Sequence, residues 1–134
     1  MDTTAVSIQV TPDGALYELK SNGNLYGRAG LAGNWILLDN HSAKSIQVSP
    51  DGTLYDLQSS GILLERAGLT GNWILLSTNA STIQVGPNSA LYDLQSGGNL
   101  YVLENGIFAL VTSNVTSFQV NPNGSLTVNG QPFS

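Results

Sequence analysis

Residues Ser7–Leu19 read SIQVTPDGALYEL, and the phrase returns three times: SIQVSPDGTLYDL at Ser45–Leu57, TIQVGPNSALYDL at Thr82–Leu94 and SFQVNPNGSLTV at Ser117–Val128. Successive copies start 38, 37 and 35 residues apart. A repeat of this length marks a unit that cannot bury its apolar face alone and stacks on its neighbours. Each phrase opens on a strand in which apolar residues alternate with Ser and Gln. A turn follows, Pro12-Asp13-Gly14, Pro50-Asp51-Gly52 or Pro122-Asn123-Gly124. Proline presets φ for the first turn position, and glycine tolerates the left-handed conformation that ends such a turn. The third copy has Ser89 where the others have glycine, so that turn is expected to be strained or differently shaped.

Outward from the phrase, a second strand (ALYEL, TLYDL, ALYDL) has period-2 patterning. A third follows a Ser/Asn/Gly turn (NLYGR, ILLER, NLYVL) and a fourth reads NWILL, NWILL or IFALV. No segment has sustained helical periodicity, so the chain reads as all-β. Four antiparallel strands per ~40 residues, repeated, are the pattern of a β-propeller blade. The near-continuous apolar character of the third and fourth strands fits blades packed on both faces. The expected organisation is one repeat domain over 1–134, with blades at 7–44, 45–81 and 82–116 and a partial blade at 117–134. A β-trefoil has similar repeats but closes after three, leaving the fourth phrase surplus.

The third and fourth strands pose a question. RAGLAGNWILL at Arg28–Leu38 recurs as RAGLTGNWILL at Arg66–Leu76, ten of eleven residues identical, yet the third copy reads LENGIFALV at Leu103–Val111. The segment is either a structural joint or a site present twice.

Composition narrows the function. Of 134 residues only 10% are charged, against about 25% in an average soluble protein. The surface is therefore built from Asn, Ser, Thr, Gln and Gly, and suits neutral, hydroxyl-rich ligands. Net charge is −5. Four scattered cations (Lys20, Arg28, Lys44 and Arg66) cannot make the basic stripe that a nucleic acid needs. There is no cysteine, no signal-peptide pattern and no apolar run near the ~20 residues of a membrane span; the compartment stays open. His41, the only histidine, reads as a solvated loop residue. No zinc spacing, calcium loop or phosphate loop is present, so no cofactor, no metal and no catalytic group are expected.

The run SIQV–PDG–LYEL–SNG–LYGR–W resembles the tectonin and tachylectin type of β-propeller. The likeness covers Ser7–Leu76 and most of Thr82–Val111, and is partial from Ser117. It implies a carbohydrate-binding lectin with pockets between adjacent blades, taking neutral or N-acetylated sugars. The repeats are shorter and fewer than in a usual five- to seven-bladed ring. Three full units and a fragment give 14 or 15 strands, so the chain is expected either to close as a small four-bladed monomer or to pair as a homodimer, the latter preferred.

Within that frame Trp35 and Trp73 are the candidate sugar platforms. An indole offers an apolar plate to a pyranose, while Asn34, Asn72, Arg28 and Arg66 could bind hydroxyls. Glu18 and Asp56, with Asp93 at the same position, could accept hydroxyl protons, or could instead pair with the arginines or with backbone N–H groups between blades. The strand-opening glutamines, Gln9, Gln47, Gln84 and Gln119, and the tyrosines Tyr17, Tyr55 and Tyr92 read as structural. Loss of the whole RAGLxGNW segment in the third copy suggests two pockets, although recent duplication of two units explains the same likeness. The competing function is a structural or protein-interaction propeller, including an excised or engineered fragment that assembles through its repeats.

Overall fold

The computed structural model describes residues 5–12, 14–30, 33–40, 43–69 and 71–133. His41, Asp13, Met1–Thr4 and residues 31, 32 and 70 of the two long loops lie outside them. The described residues form fifteen strands and no helix, in four antiparallel sheets whose strands follow one another in order. The first sheet is β1 (Ala5–Val10), β2 (Leu16–Lys20), β3 (Leu25–Arg28) and β4 (Ile36–Asp39). The second is β5 (Ala43–Val48), β6 (Leu54–Gln58), β7 (Leu63–Arg66) and β8 (Ile74–Ser77). The third is β9 (Ala80–Val85), β10 (Leu91–Gln95), β11 (Leu100–Glu104) and β12 (Ile107–Thr112). The fourth has three strands, β13 (Phe118–Val120), β14 (Leu126–Val128) and β15 (Gln131–Phe133). The fragment after Ser117 thus supplies the expected two strands and the stub of a third.

The turns follow their chemistry. Gly14, Gly52 and Gly124 sit at φ near +90° (92, 92 and 89). Each closes its turn by an N–H to the carbonyl three residues back (Thr11, Ser49 and Asn121). Ser89 makes the same bond to Gly86 at φ 70. The third turn therefore keeps its shape and is strained, since a Cβ in the left-handed region costs roughly 1 kcal/mol or more. The opening strands begin earlier than the alternation suggested, at Ala5, Ala43 and Ala80. A shift of register, between Ala5 and Ser7 in the first sheet and Ala43 and Ser45 in the second, accommodates the added residues.

The chain falls into two compact units, one ending at Thr78 and the other beginning at Asn79. In the first unit, one face of the first sheet packs on one face of the second. Tyr17, Leu19 and Leu25 meet Ala43, Ile46 and Leu54, with Leu38, Val48, Leu69 and Trp73 around them. Full burial of each large side chain contributes about 1.5–3 kcal/mol. Gly27 of β3 is a notch in this face: a Cβ there would stand 2.6 Å from Leu69 Cδ2. In the second unit, Leu94, Leu100 and Val115 pack with Phe118 and Leu126, and Tyr92 meets Phe118 at 6.4 Å between ring centroids. The Gln84 side-chain amide staples these two sheets. Gln84 donates to the Phe118 carbonyl at 3.2 Å and accepts from the Val120 N–H at 2.9 Å.

Candidate functional site

The RAGLxGNW segment is the connection between the third and fourth strands of its sheet. Antiparallel pairing of Gly27 with Ile36 brings Arg28 opposite Trp35, and the guanidinium carbon lies 5.0 Å from the indole centroid. Arg66 stands 5.2 Å from the Trp73 ring. Both arginines also tie down their loop. Arg28 Nε donates to the Gly30 carbonyl at 2.7 Å; Arg66 Nε donates to Gly68 at 2.7 Å and its Nη2 to Leu69 at 2.6 Å. In the third copy the connection is the two-residue turn Asn105-Gly106, at φ 53 and 79, the primed geometry natural to a tight hairpin. Without a loop there are no carbonyls for an arginine to hold, and the cross-strand pair becomes Leu103 with Phe108. Loop, Arg and Trp change together because they are bonded to one another. In both copies the segment holds its own loop in place.

The two tryptophans nevertheless meet different surroundings. Trp73 is half-buried against the first sheet, and its indole N–H donates to the Leu38 carbonyl at 3.1 Å. Trp35 is 44% exposed. The register places Ile8, Glu18, Tyr26 and Leu37 on the same face of the first sheet, and that face corresponds to the covered face of the second. Ile8 is 61% exposed where its counterpart Ile46 is 3%.

On this open face Glu18, Lys20, Tyr26 and Trp35 line a hollow of about 450 Å³, within the range of about 300–1,000 Å³ common for small-molecule sites. Lys20 Nζ lies 3.6 Å from a Glu18 carboxylate oxygen and 5.6 Å from the Tyr26 ring centroid. The Tyr26 hydroxyl accepts from Asn24 Nδ2 at 3.3 Å. Two aromatic rings, a carboxylate and an ammonium thus surround one depression. Two of the sequence candidates, Glu18 and Trp35, line this hollow, and a third, Arg28, stands over the Trp35 ring. Asn34 is exposed beside Trp35, as Asn72 is beside Trp73.

The second copy is not a second such pocket. Asp56, the counterpart of Glu18, is fully buried and so cannot offer its carboxylate to a solvent-borne ligand. Its neighbour is Asp39 at the end of β4, and not Arg66. Burial first, and then the Asp39 side chain, push its pKa up from 3.8 to about 9, because a buried carboxyl disfavours its charged form and a neighbouring acid adds to that. A proton on Asp56 supplies the donor that two carboxylates lack. Asp39 also accepts from Gln58 Nε2 at 3.1 Å. Asp93, at the same position in the third sheet, is likewise fully buried.

A second depression, of about 390 Å³, opens in the first unit where the turns of the two sheets meet, lined by Thr11, Tyr17, Asp51, Thr53 and Leu69 among others. Its signal in the sequence was the acid of the PDG turn. Asp51, however, accepts from Ser49 Oγ and the Thr53 N–H, and the Ser49 bond above all holds its pKa below the ordinary value. Its carboxylate is occupied in holding the turn. Among the described residues no cluster of His, Asp and Glu could hold a metal ion, and no helix is long and apolar enough to cross a membrane.

No family model matches the sequence, and no curated protein matches it. Solved structures do. YCF48, in a structure with D1 peptide bound, aligns with a TM-score of 0.64 at 13% identity over 96% of this chain and 47% of its own. The extracellular domain of BT4673 from B. thetaiotaomicron, described as part of a one-component system, aligns with a TM-score of 0.69 at 13% identity, over 92% of this chain and 19% of its own. Both are β-propeller proteins. The four sheets are propeller blades. The chain spans about half of one of these proteins and a fifth of the other, and at this identity the likeness establishes the fold alone. Four blades also leave no place for a trefoil, which closes after three repeats.

Proposed function

We propose that this chain is a non-catalytic, carbohydrate-binding propeller of the tectonin kind, taking a neutral or N-acetylated sugar in the hollow beside Trp35 and working as a homodimer. The observation that carries the reading is the half-exposed Trp35 indole standing in a 450 Å³ depression with Glu18, Lys20 and Tyr26. An indole plate attracts the C–H face of a pyranose, and the rim groups match hydroxyls: Glu18 accepts, Lys20 donates. The low charge of the remaining surface favours an uncharged ligand. One pocket per chain replaces the two suggested by the repeats, because the first blade covers the counterpart around Trp73.

A glycan array tests this. Retention of one sugar class by the wild type, lost in Trp35→Ala and kept in Trp73→Phe, supports the site. No retained glycan from a folded chain, or equal retention by Trp35→Ala, removes it.

A protein-interaction propeller is the second reading, favoured by apolar residues on the last strands of the blades: Ile36, Ile74 and Ile107 are 47%, 54% and 71% exposed. YCF48, with its bound D1 peptide, has the same fold. Binding of extended apolar peptides with no glycan retained would select it.

A further inference from the structure

The chain carries one half of an inter-blade joint on its first blade and the other half on its last. We propose that the fourth blade of one copy docks on the open face of the first blade of a second copy, with Gln119 as the clamp. The inference rests on the self-association proposed above and names the surface that makes it.

The donor half is read from the joint between the third and fourth blades. There Gln84, on the face of β9 opposite Ile83 and Val85, grips the free edge of β13 through the Phe118 carbonyl and the Val120 N–H. Gln119 occupies the same position one blade on. Phe118 is buried and Val120 half-buried against the third blade, so the alternation turns Gln119 to the opposite face, where it is exposed. Thr127 and Pro132, paired across β14 and β15, share that face.

The acceptor half is β1. It is the end strand of its sheet, so one backbone edge has no strand beside it, as in β13. Ile8 and Val10 stand where Phe118 and Val120 stand in the fourth blade, and both are 61% exposed. A Gln119 amide seated as Gln84 is would accept from the Val10 N–H and donate to the Ile8 carbonyl, while Thr127 and Pro132 cover the two side chains. The face has the chemistry of a blade receptor: two aliphatic side chains beside the outer edge of a sheet's end strand. A second copy supplies its complement. Among the described residues the fourth blade has three strands, none of which holds a counterpart of Leu38, the residue that receives the Trp73 indole. Docking therefore covers the β1 side and leaves the Trp35 hollow open to ligand.

The absence of cysteine from the chain gives a direct test with single-cysteine variants Val10→Cys and Gln119→Cys and a short thiol-to-thiol cross-linker. Because the contact is head-to-tail, the two variants mixed are expected to give a cross-linked pair, and neither alone to give more than a trace. Light scattering of the wild type is expected at twice the 14.1 kDa chain mass, falling to the single-chain value in Val10→Asp with an unchanged circular-dichroism spectrum. A wild type that stays at one chain mass at every concentration overturns self-association itself, and this interface with it. A wild type at a multiple mass, with Val10→Asp unchanged and no mixed cross-link, leaves self-association standing and overturns only this surface.

Discussion

Ile8 and Ile46 hold the same place in two copies of one phrase, and so do Trp35 and Trp73. In the second blade the pair faces a packed sheet; in the first it faces solvent. Same letters, different work: Trp73 closes a seam with a hydrogen bond to Leu38, and Trp35 walls a hollow. A repeat defines what a side chain can do, and the neighbouring blade decides which of those things it does. The acids make the point more sharply. Glu18 is salt-bridged to Lys20 in the hollow, whereas Asp56 is fully buried beside Asp39.

The contrast can be broken by paired substitutions, the largest effect first. Ile46→Ala is expected to cost about 2–4 kcal/mol in urea unfolding, transfer plus cavity, and Ile8→Ala, measured at concentrations dilute enough for single chains, no more than about 0.5 kcal/mol. Equal costs would mean that the two faces are covered alike. The notch comes next: Gly27→Ala drives a methyl into Leu69 and is expected to cost about 1–3 kcal/mol by overpacking, read as a lower melting temperature. Trp73→Phe keeps most of the ring but orphans the Leu38 carbonyl, for about 1 kcal/mol, while Trp35→Phe leaves stability unchanged.

The seam acids sharpen the comparison through pH. Asp56 is held above its unfolded pKa, so its share of stability is full below about pH 4 and is lost as pH rises toward 9. Wild-type stability should fall across that window with a slope approaching one proton. Asp56→Asn, which cannot ionise, should flatten the curve in pH-dependent denaturant melts. The smallest effect lies away from both faces. Ser89→Gly relieves a left-handed serine and is expected to add roughly 0.5–1 kcal/mol; no gain would mean that Ser89 is held by contacts its turn does not need.

Strand order, the PDG turns and the strain at Ser89 were legible because each rests on local chemistry: period-2 alternation, proline φ, glycine handedness. The structural role of Gln84 was legible too, since an amide between apolar neighbours in a strand has few partners besides a neighbouring backbone. What could not be read was exposure. Nothing in RAGLAGNWILL distinguishes it from RAGLTGNWILL, because the difference lies in what packs against each. That Asp56 would be buried beside Asp39, and neither free to accept a hydroxyl nor paired with Arg66, was hidden for the same reason. Gly27 was hidden as an ordinary strand residue; its meaning depends on Leu69, 42 positions away, which no local pattern connects to it.

That notch also sets a direction on the modules. Tyr17 pairs with Gly27, but the same place in the second blade, opposite Tyr55, is held by Glu65. If the first two modules traded places, Glu65 would stand where Gly27 stands now, and the face that glycine leaves open to the next module would present a carboxylate in its stead, so a gene with the two modules exchanged should encode a less stable chain.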